Sequence, residues 1–329
     1  MNILITGCAG FIGYWLTDFL IKEGHNIIGI DNLNDYYDNK LKLDRLEMIK
    51  VSCSEASFFK KGNFSFLKCD LSNKIELNNV FKNNDFDLVV NLAAQAGIRY
   101  SFESPSEYID SNIVGFFNLL ENTKEFGVKN LIYASSSSVY GNLDKYPAYE
   151  NERTDKQESL YAVSKKTNEL LAQYYSKNFE LNCIGLRFFT VYGPYGRPDM
   201  ATYLFTKAIL EKAPLKLFNK GNLYRDFTYI DDIVEGINIL IRNLSTFSNN
   251  EIINIGFGNS ISVSEMISIM ENVIGIKAIK VNKEMQKGDV FKTHSSTDKL
   301  KKLGYKPNFS FAKGYIKYFE WYKKYYNTQ

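Results

Sequence analysis

Three groups of residues in this 329-residue chain could do chemistry. In ITGCAGFIG (5–13), Gly7, Gly10 and Gly13 recur at three-residue spacing between an apolar run and a helix-length segment. Glycines there permit a tight turn, a close approach of backbone to a pyrophosphate and close helix packing, with the helix N-terminus facing the phosphates. Asp31, 18 residues beyond Gly13, ends the second apolar run, where a carboxylate would accept hydrogen bonds from ribose hydroxyls and repel a 2′-phosphate. A lone glycine pattern also fits an ordinary strand-to-helix turn. The strand–turn–helix context and the placed acid point instead to a dinucleotide site, for NAD rather than NADP, formed by Gly7, Gly10, Phe11, Ile12, Gly13, Asp31 and Asn32. The second group is YASSSSVYG (133–141), four serines after an apolar strand, which alone would be a polar loop. The third is Tyr161 and Lys165, four apart on a predicted helix and therefore on one face. A chain with 23 tyrosines offers many chances for such a pair, so its weight comes from its company.

The elements that must position these groups follow from hydrophobic pattern. Over the first 140 residues, apolar runs (NILIT, NIIGID, LKCDL, DLVVNLAA, LIYASS) alternate with amphipathic stretches such as Phe11 to Lys22. Strands that are apolar throughout, separated by helix-length segments, imply a parallel sheet covered on both faces, a doubly wound α/β (Rossmann) fold. Asp70 and Leu71, closing the third strand, are placed near the adenine. Leu92, Ala93 and Ala94, closing the fourth, offer small side chains where backbone can approach the cofactor. Asn32 to Asn63 is longer than a usual connection and is expected to hold a helix and an exposed loop. Leu160, Val163, Leu170, Leu171 and Tyr174 suit a long helix over 159–179, followed by a strand in LNCIGLRFF. The expected organisation is a cofactor domain over 1–189, to which the chain returns around 227–258, and a smaller mixed α/β substrate lobe over 190–329.

Composition narrows the function classes. Lys plus Arg number 40 against 37 Asp plus Glu, so a net charge of +3 predicts no nucleic-acid or acidic-membrane partner. Cys8, Cys53, Cys69 and Cys183 form no C-x-x-C pair, and with two histidines no metal site is expected. No apolar run approaches the roughly 18 residues of a membrane span. The chain begins at MNILITG without an export signal, so a soluble cytoplasmic protein is expected.

With the serine run, Tyr161 and Lys165 in this context, the sequence resembles the extended short-chain dehydrogenase/reductase family over nearly its whole length. The resemblance implies that Ser136, counted back from VYG, Tyr161 and Lys165 form the catalytic set. A Tyr of ordinary pKa near 10 must shift by about 3 units, roughly 4 kcal/mol, to act as a base near neutrality. A lysine in a low-dielectric site and a positive nicotinamide ring would supply that stabilisation. Members that dehydrate nucleotide sugars place Asp-Glu where this chain has Ser137 and Ser138. Without those carboxylates, reversible oxidation of one hydroxyl remains.

DNLNDYYD, QAGIRYS, TVYGPYGRPDM and MQKGDV look most like UDP-glucuronate 4-epimerases, members of the same family. That likeness implies Arg225 and Asp289 at the nucleotide, Thr190 and Arg197 near a sugar carboxylate, Arg99 as a further candidate for the anionic ligand, and Ser137 at the sugar. It also implies a homodimer through helices starting near Ser106 and Ser159. Lys287, THSS (293–296) and Cys8 depart from the family pattern, and Thr293 is small enough to leave room for an N-acetyl group. The expected activity is 4-epimerisation of a UDP-sugar, UDP-glucuronate first. UDP-N-acetylglucosamine or another nucleotide-linked sugar such as a heptose, a net dehydrogenase or reductase, and a non-catalytic NAD-bound protein are the alternatives.

Overall fold

The computed structural model describes residues 1–55, 63–247, 249–286 and 288–328, with residues 51–55 described by backbone alone. Lys287 and the Cys53 side chain therefore lie outside the described residues. So does the connection over 56–62 that follows the observed helix Asn39–Glu55.

Thirteen strands are described: β1 (Asn2–Thr6), β2 (Asn26–Asp31), β3 (Phe64–Lys68), β4 (Leu88–Asn91), β5 (Asn130–Ser136), β6 (Asn182–Phe188), β7 (Thr190–Tyr192), β8 (Pro214–Phe218), β9 (Tyr224–Arg225), β10 (Phe227–Tyr229), β11 (Asn250–Ile255), β12 (Ile261–Ser262) and β13 (Ile279–Lys283). Seven form one sheet in the order β11-β6-β5-β4-β1-β2-β3, with every pairing parallel. The apolar runs are its buried centre: Ile3, Leu4 and Ile5 of β1, Leu88, Val89 and Val90 of β4, and Leu131 and Ile132 of β5 are fully buried. The strand order reverses between β1 and β4. In open parallel sheets that reversal leaves a crevice beyond the strand carboxyl ends, where ligands bind.

The remaining strands pair in twos, β7 with β10, β9 with β12 and β8 with β13. Thr190, Val191, Leu215, Arg225, Phe227 and Lys283, from five of these strands, line the same cleft as the glycine turn. Strand β11 follows β10 in the chain and pairs with β6 from Asn250↔Cys183 to Ile255↔Phe188.

Two expectations shift in detail. Strand β3 ends at Lys68 and β4 at Asn91, so Asp70 and Leu71, and Leu92, Ala93 and Ala94, follow their strands rather than close them. The expected long helix is Leu160–Phe179, started by Ser159, whose hydroxyl accepts from the Ala162 amide. Its core-facing side is Ala162, Ser164, Lys165, Asn168, Glu169, Ala172, Tyr175 and Ser176. Val163, Leu170 and Tyr174, three of the apolar residues that signal the helix, are exposed.

Candidate active site

The glycine turn is built by steric necessity. Gly7 has φ +70°, and a Cβ there would stand 2.7 Å from the Ala93 nitrogen on the neighbouring strand end. A Cβ on Gly13 would lie 2.0 Å from the Gly7 carbonyl oxygen, so turn and helix meet backbone to backbone. Gly10 caps the Phe11–Lys22 helix with no side chain and no acid occupies the first turn, which leaves the helix N-terminus free for an anion. Asp31 is nine-tenths buried at the end of β2 and takes the Leu33 amide on one oxygen. Burial raises its carboxyl, opposed by that amide and by the charges of Lys42 and Arg45. Asn32 donates to Asp70 at 2.8 Å, and Ser72 holds the other Asp70 oxygen through its amide and hydroxyl. A turn that excludes Cβ atoms, an uncapped helix end and a buried acid fit a dinucleotide. Phe11, Ile12, Leu71, Leu92, Ala93 and Ala94 line the same cleft.

Sequence reasoning missed Lys42 and Arg45, three apart on the Asn39–Glu55 helix. Lys42 donates to the Asn34 carbonyl and side-chain oxygens, at 2.5 and 2.6 Å. Arg45 is fully buried and bonds the carbonyls of Ala9, in the glycine turn, and Tyr195, in the loop that carries Arg197. The available signal was a pair of basic residues at helical spacing within an otherwise apolar face.

The four serines divide their work. Ser135 donates to Glu169 at 2.7 Å, and Glu169 is held in a buried two-bond ion pair by Arg187 of β6. Because Glu169 lies one turn beyond Lys165, this network fixes the end of β5 against the Leu160–Phe179 helix. The Ser136 hydroxyl accepts from the Ser138 amide at 3.1 Å and meets the Ser138 hydroxyl at 2.9 Å. Ser137 lines the cleft.

Tyr161 faces Ser136. Burial raises its phenol, while a hydrogen bond with Ser136 and the charge of Arg197 act in the opposite sense. Lys165 is buried, stands 6.0 Å from the Tyr161 ring centre and donates to the Ala134 carbonyl at 2.9 Å. Burial pushes its ammonium down to about 7. The protein's own groups thus bring Tyr161 and Lys165 together but leave the phenol above its ordinary value. A positive nicotinamide beside Tyr161 would supply the missing bias toward the phenolate.

Beyond this centre the cleft continues between Thr190, Arg197, Thr293 and the β8–β9 region, and the whole cleft, from the glycine turn to Asp289, encloses about 1270 Å³. That exceeds the ~300–1,000 Å³ usual for one small ligand, so there is room for two. Arg197 donates from Nε and Nη2 to Asp199, at 2.9 and 2.5 Å, and its guanidinium lies 5.7 Å from the Tyr36 ring centre. Burial would raise the Asp199 carboxyl, but Arg197 and the Tyr36 hydroxyl hold it below the ordinary value. At the far end Asp289 sits between Arg225, at 3.7 Å, and Arg99, at 3.9 Å. Thr293 accepts from the Asp226 amide, and Ser295 bonds the buried Asp226 carboxylate with both amide and hydroxyl. The THSS departure is therefore a strap held on Asp226, between β9 and β10.

Among the described residues no group of three or more His, Cys, Asp or Glu could hold a metal ion, and no helix is long and apolar enough to cross a membrane.

The chain is 45% identical to Protein CapI of Staphylococcus aureus, over 99% of each chain. It is 43% identical to the UDP-glucuronate 4-epimerase of Thermodesulfobacterium geofontis, over 98% of this chain and 96% of that one. Its fold superposes on the UDP-glucuronic acid 4-epimerase of Bacillus cereus, solved with UDP-glucuronic acid and NAD, with a TM-score of 0.90 at 32% identity, covering 99% of this chain and 100% of the other. Residues 3–256 match the model of the NAD dependent epimerase/dehydratase family, and the chain belongs to that family.

Proposed function

We propose that this protein interconverts UDP-glucuronate and UDP-galacturonate through a transient 4-ketone. The observation that carries the reading is the set of Ser136, Tyr161 and Lys165 between a dinucleotide turn and a guanidinium, with no carboxylate at Ser137 or Ser138 to eliminate water. Tyr161 removes the proton of the 4-hydroxyl and later returns it, and Ser136 hydrogen-bonds the same oxygen. Lys165 stabilises the phenolate across the buried site. NAD, held by the turn of Gly7, Gly10 and Gly13 and by Asp31, would supply the acceptor for the hydride of carbon 4 and its return to either face of the ketone. Arg225, Asp289 and Arg99 hold the nucleotide end while the ketone turns. Thr190 and Arg197 engage the sugar carboxylate and keep its charge localised, which disfavours loss of carbon dioxide from a β-keto acid.

The domain reading is retained as part of this proposal, with 1–189 and the return over 227–258 serving the cofactor and the rest of 190–329 the sugar nucleotide. A cytoplasmic homodimer completes it. Val163, Leu170 and Tyr174, with Ile109, Val114 and Phe117 of the neighbouring helical run, leave two exposed apolar faces suited to pairing with a second copy.

The purified protein, without added NAD, is to be incubated with UDP-glucuronate and separately with UDP-N-acetylglucosamine while the anomeric protons are followed by NMR. Growth of the galacturonate signal supports the proposal. Conversion of the N-acetyl sugar alone, which the small Thr293 would admit, transfers the same chemistry to a neutral substrate.

A further inference from the structure

We propose that Asp199 is a carboxylate placeholder, held by Arg197 until a sugar carboxylate takes its position, so that Asp199 sets how far the cleft prefers an anionic sugar over a neutral one. This rests on the function proposed above. The Nε and Nη2 edge of a guanidinium is the fork that receives a carboxylate through two parallel bonds. In Arg197 that edge is filled by Asp199, two residues along the same loop. The pair resembles the complex Arg197 would form with a uronic acid. It also resolves a cost, because a buried guanidinium without a partner is penalised by several kcal/mol.

The two partners are unequally fixed. Arg197 lies across the Tyr36 ring and keeps 20% of its side chain exposed, whereas Asp199 keeps 33%. Asp199 also has a second donor, the Tyr36 hydroxyl at 3.0 Å, to which its carboxylate can hold when the guanidinium is taken. Tyr36 in turn is packed on Tyr100 and comes from the cofactor half, so the released carboxylate has a fixed resting place. Exchange therefore needs a side-chain rotation in Asp199 and none in Arg197. A neutral sugar offers Arg197 nothing better than Asp199 and leaves the pair closed. For an anionic sugar, the apparent affinity is reduced by the fraction of molecules in which Arg197 is already occupied.

The test measures binding of UDP-glucuronate and UDP-glucose by calorimetry to the protein as purified, to Asp199→Asn and to Asp199→Ala, with retained nucleotide checked by absorbance. Removing the competing charge is expected to tighten UDP-glucuronate about tenfold and to leave UDP-glucose within about twofold. A general gain from losing one negative charge would tighten both equally, since both carry the diphosphate, and that result overturns the proposal. So does weaker or unchanged binding of UDP-glucuronate, which would make Asp199 a fixed support for Arg197. Conversion by the unaltered protein is a separate readout. If it leaves UDP-glucuronate unchanged while Asp199→Asn still separates the two ligands, the substrate reading fails and the exchange stands.

Discussion

At the end of the cleft proposed for the cofactor the critical surfaces are main chain: the carbonyl of Gly7, the backbone of Ala93 and the bare first turn of the Phe11–Lys22 helix. At the end proposed for the sugar nucleotide they are side chains that already hold one another, Arg197 with Asp199 and Arg225 and Arg99 with Asp289. The first end is fixed by what cannot fit. The second is fixed by charges that must be shared, and it can be re-tuned by single substitutions without disturbing the sheet. Tyr161 and Lys165 stand where the two constructions meet.

The strongest separation of the two ends is Tyr161→Phe. Turnover should fall roughly 10³-fold or more while the purified protein keeps its nucleotide, measured by NMR and by absorbance after acid release. Loss of nucleotide together with turnover would mean that the phenol belongs to the cofactor end.

Gly13→Ala attacks the main-chain end directly. Its methyl group would enter the Gly7 carbonyl, so urea denaturation should show a loss of about 3 kcal/mol and nucleotide content should drop.

The smallest effect concerns Lys165. Its folded value, about 7, lies below the ordinary 10.5, so between those limits the unfolded chain binds a proton that the folded one does not. Stability of the nucleotide-free protein should therefore rise with pH across that window. Lys165→Met lacks this dependence, and its stability lead over the unaltered chain should narrow by about 2 kcal/mol from pH 7.5 to pH 9. A gap that stays constant in urea titrations would show that Lys165 keeps its charge in the fold.

The same division explains what could be read from the sequence. The glycine turn, Asp31 and the extent of the Leu160–Phe179 helix follow from local spacing, because sterics and helix starts act over a few residues. The face of that helix did not follow: Val163, Leu170 and Tyr174 point to solvent, and its buried side carries Lys165, Asn168 and Glu169 instead. Glu169 is received by Arg187 and Ser135, Asn168 by the Asn112 carbonyl and Lys165 by the Ala134 carbonyl, all from elsewhere in the chain. Strand ends were placed two or three residues late, since Leu71 and Leu92 extend the apolar character past the last paired residues, Lys68 and Asn91. Arg45 and Tyr195 are 150 residues apart, and no local pattern announces such a bond.

Strand β11 has a consequence for the order in which the molecule can be made. It seals the edge of the sheet against β6, yet Asn250 is its first residue and Cys183 its first partner, so the intervening chain must be synthesised before β6 gains that neighbour. Closing so long a loop slows folding. A nascent chain that has emerged only as far as Phe188 carries β6 as a bare apolar edge, the kind of surface that invites mispairing. Residues 1–189 alone cannot complete the sheet, because its β11 edge comes from Asn250–Ile255.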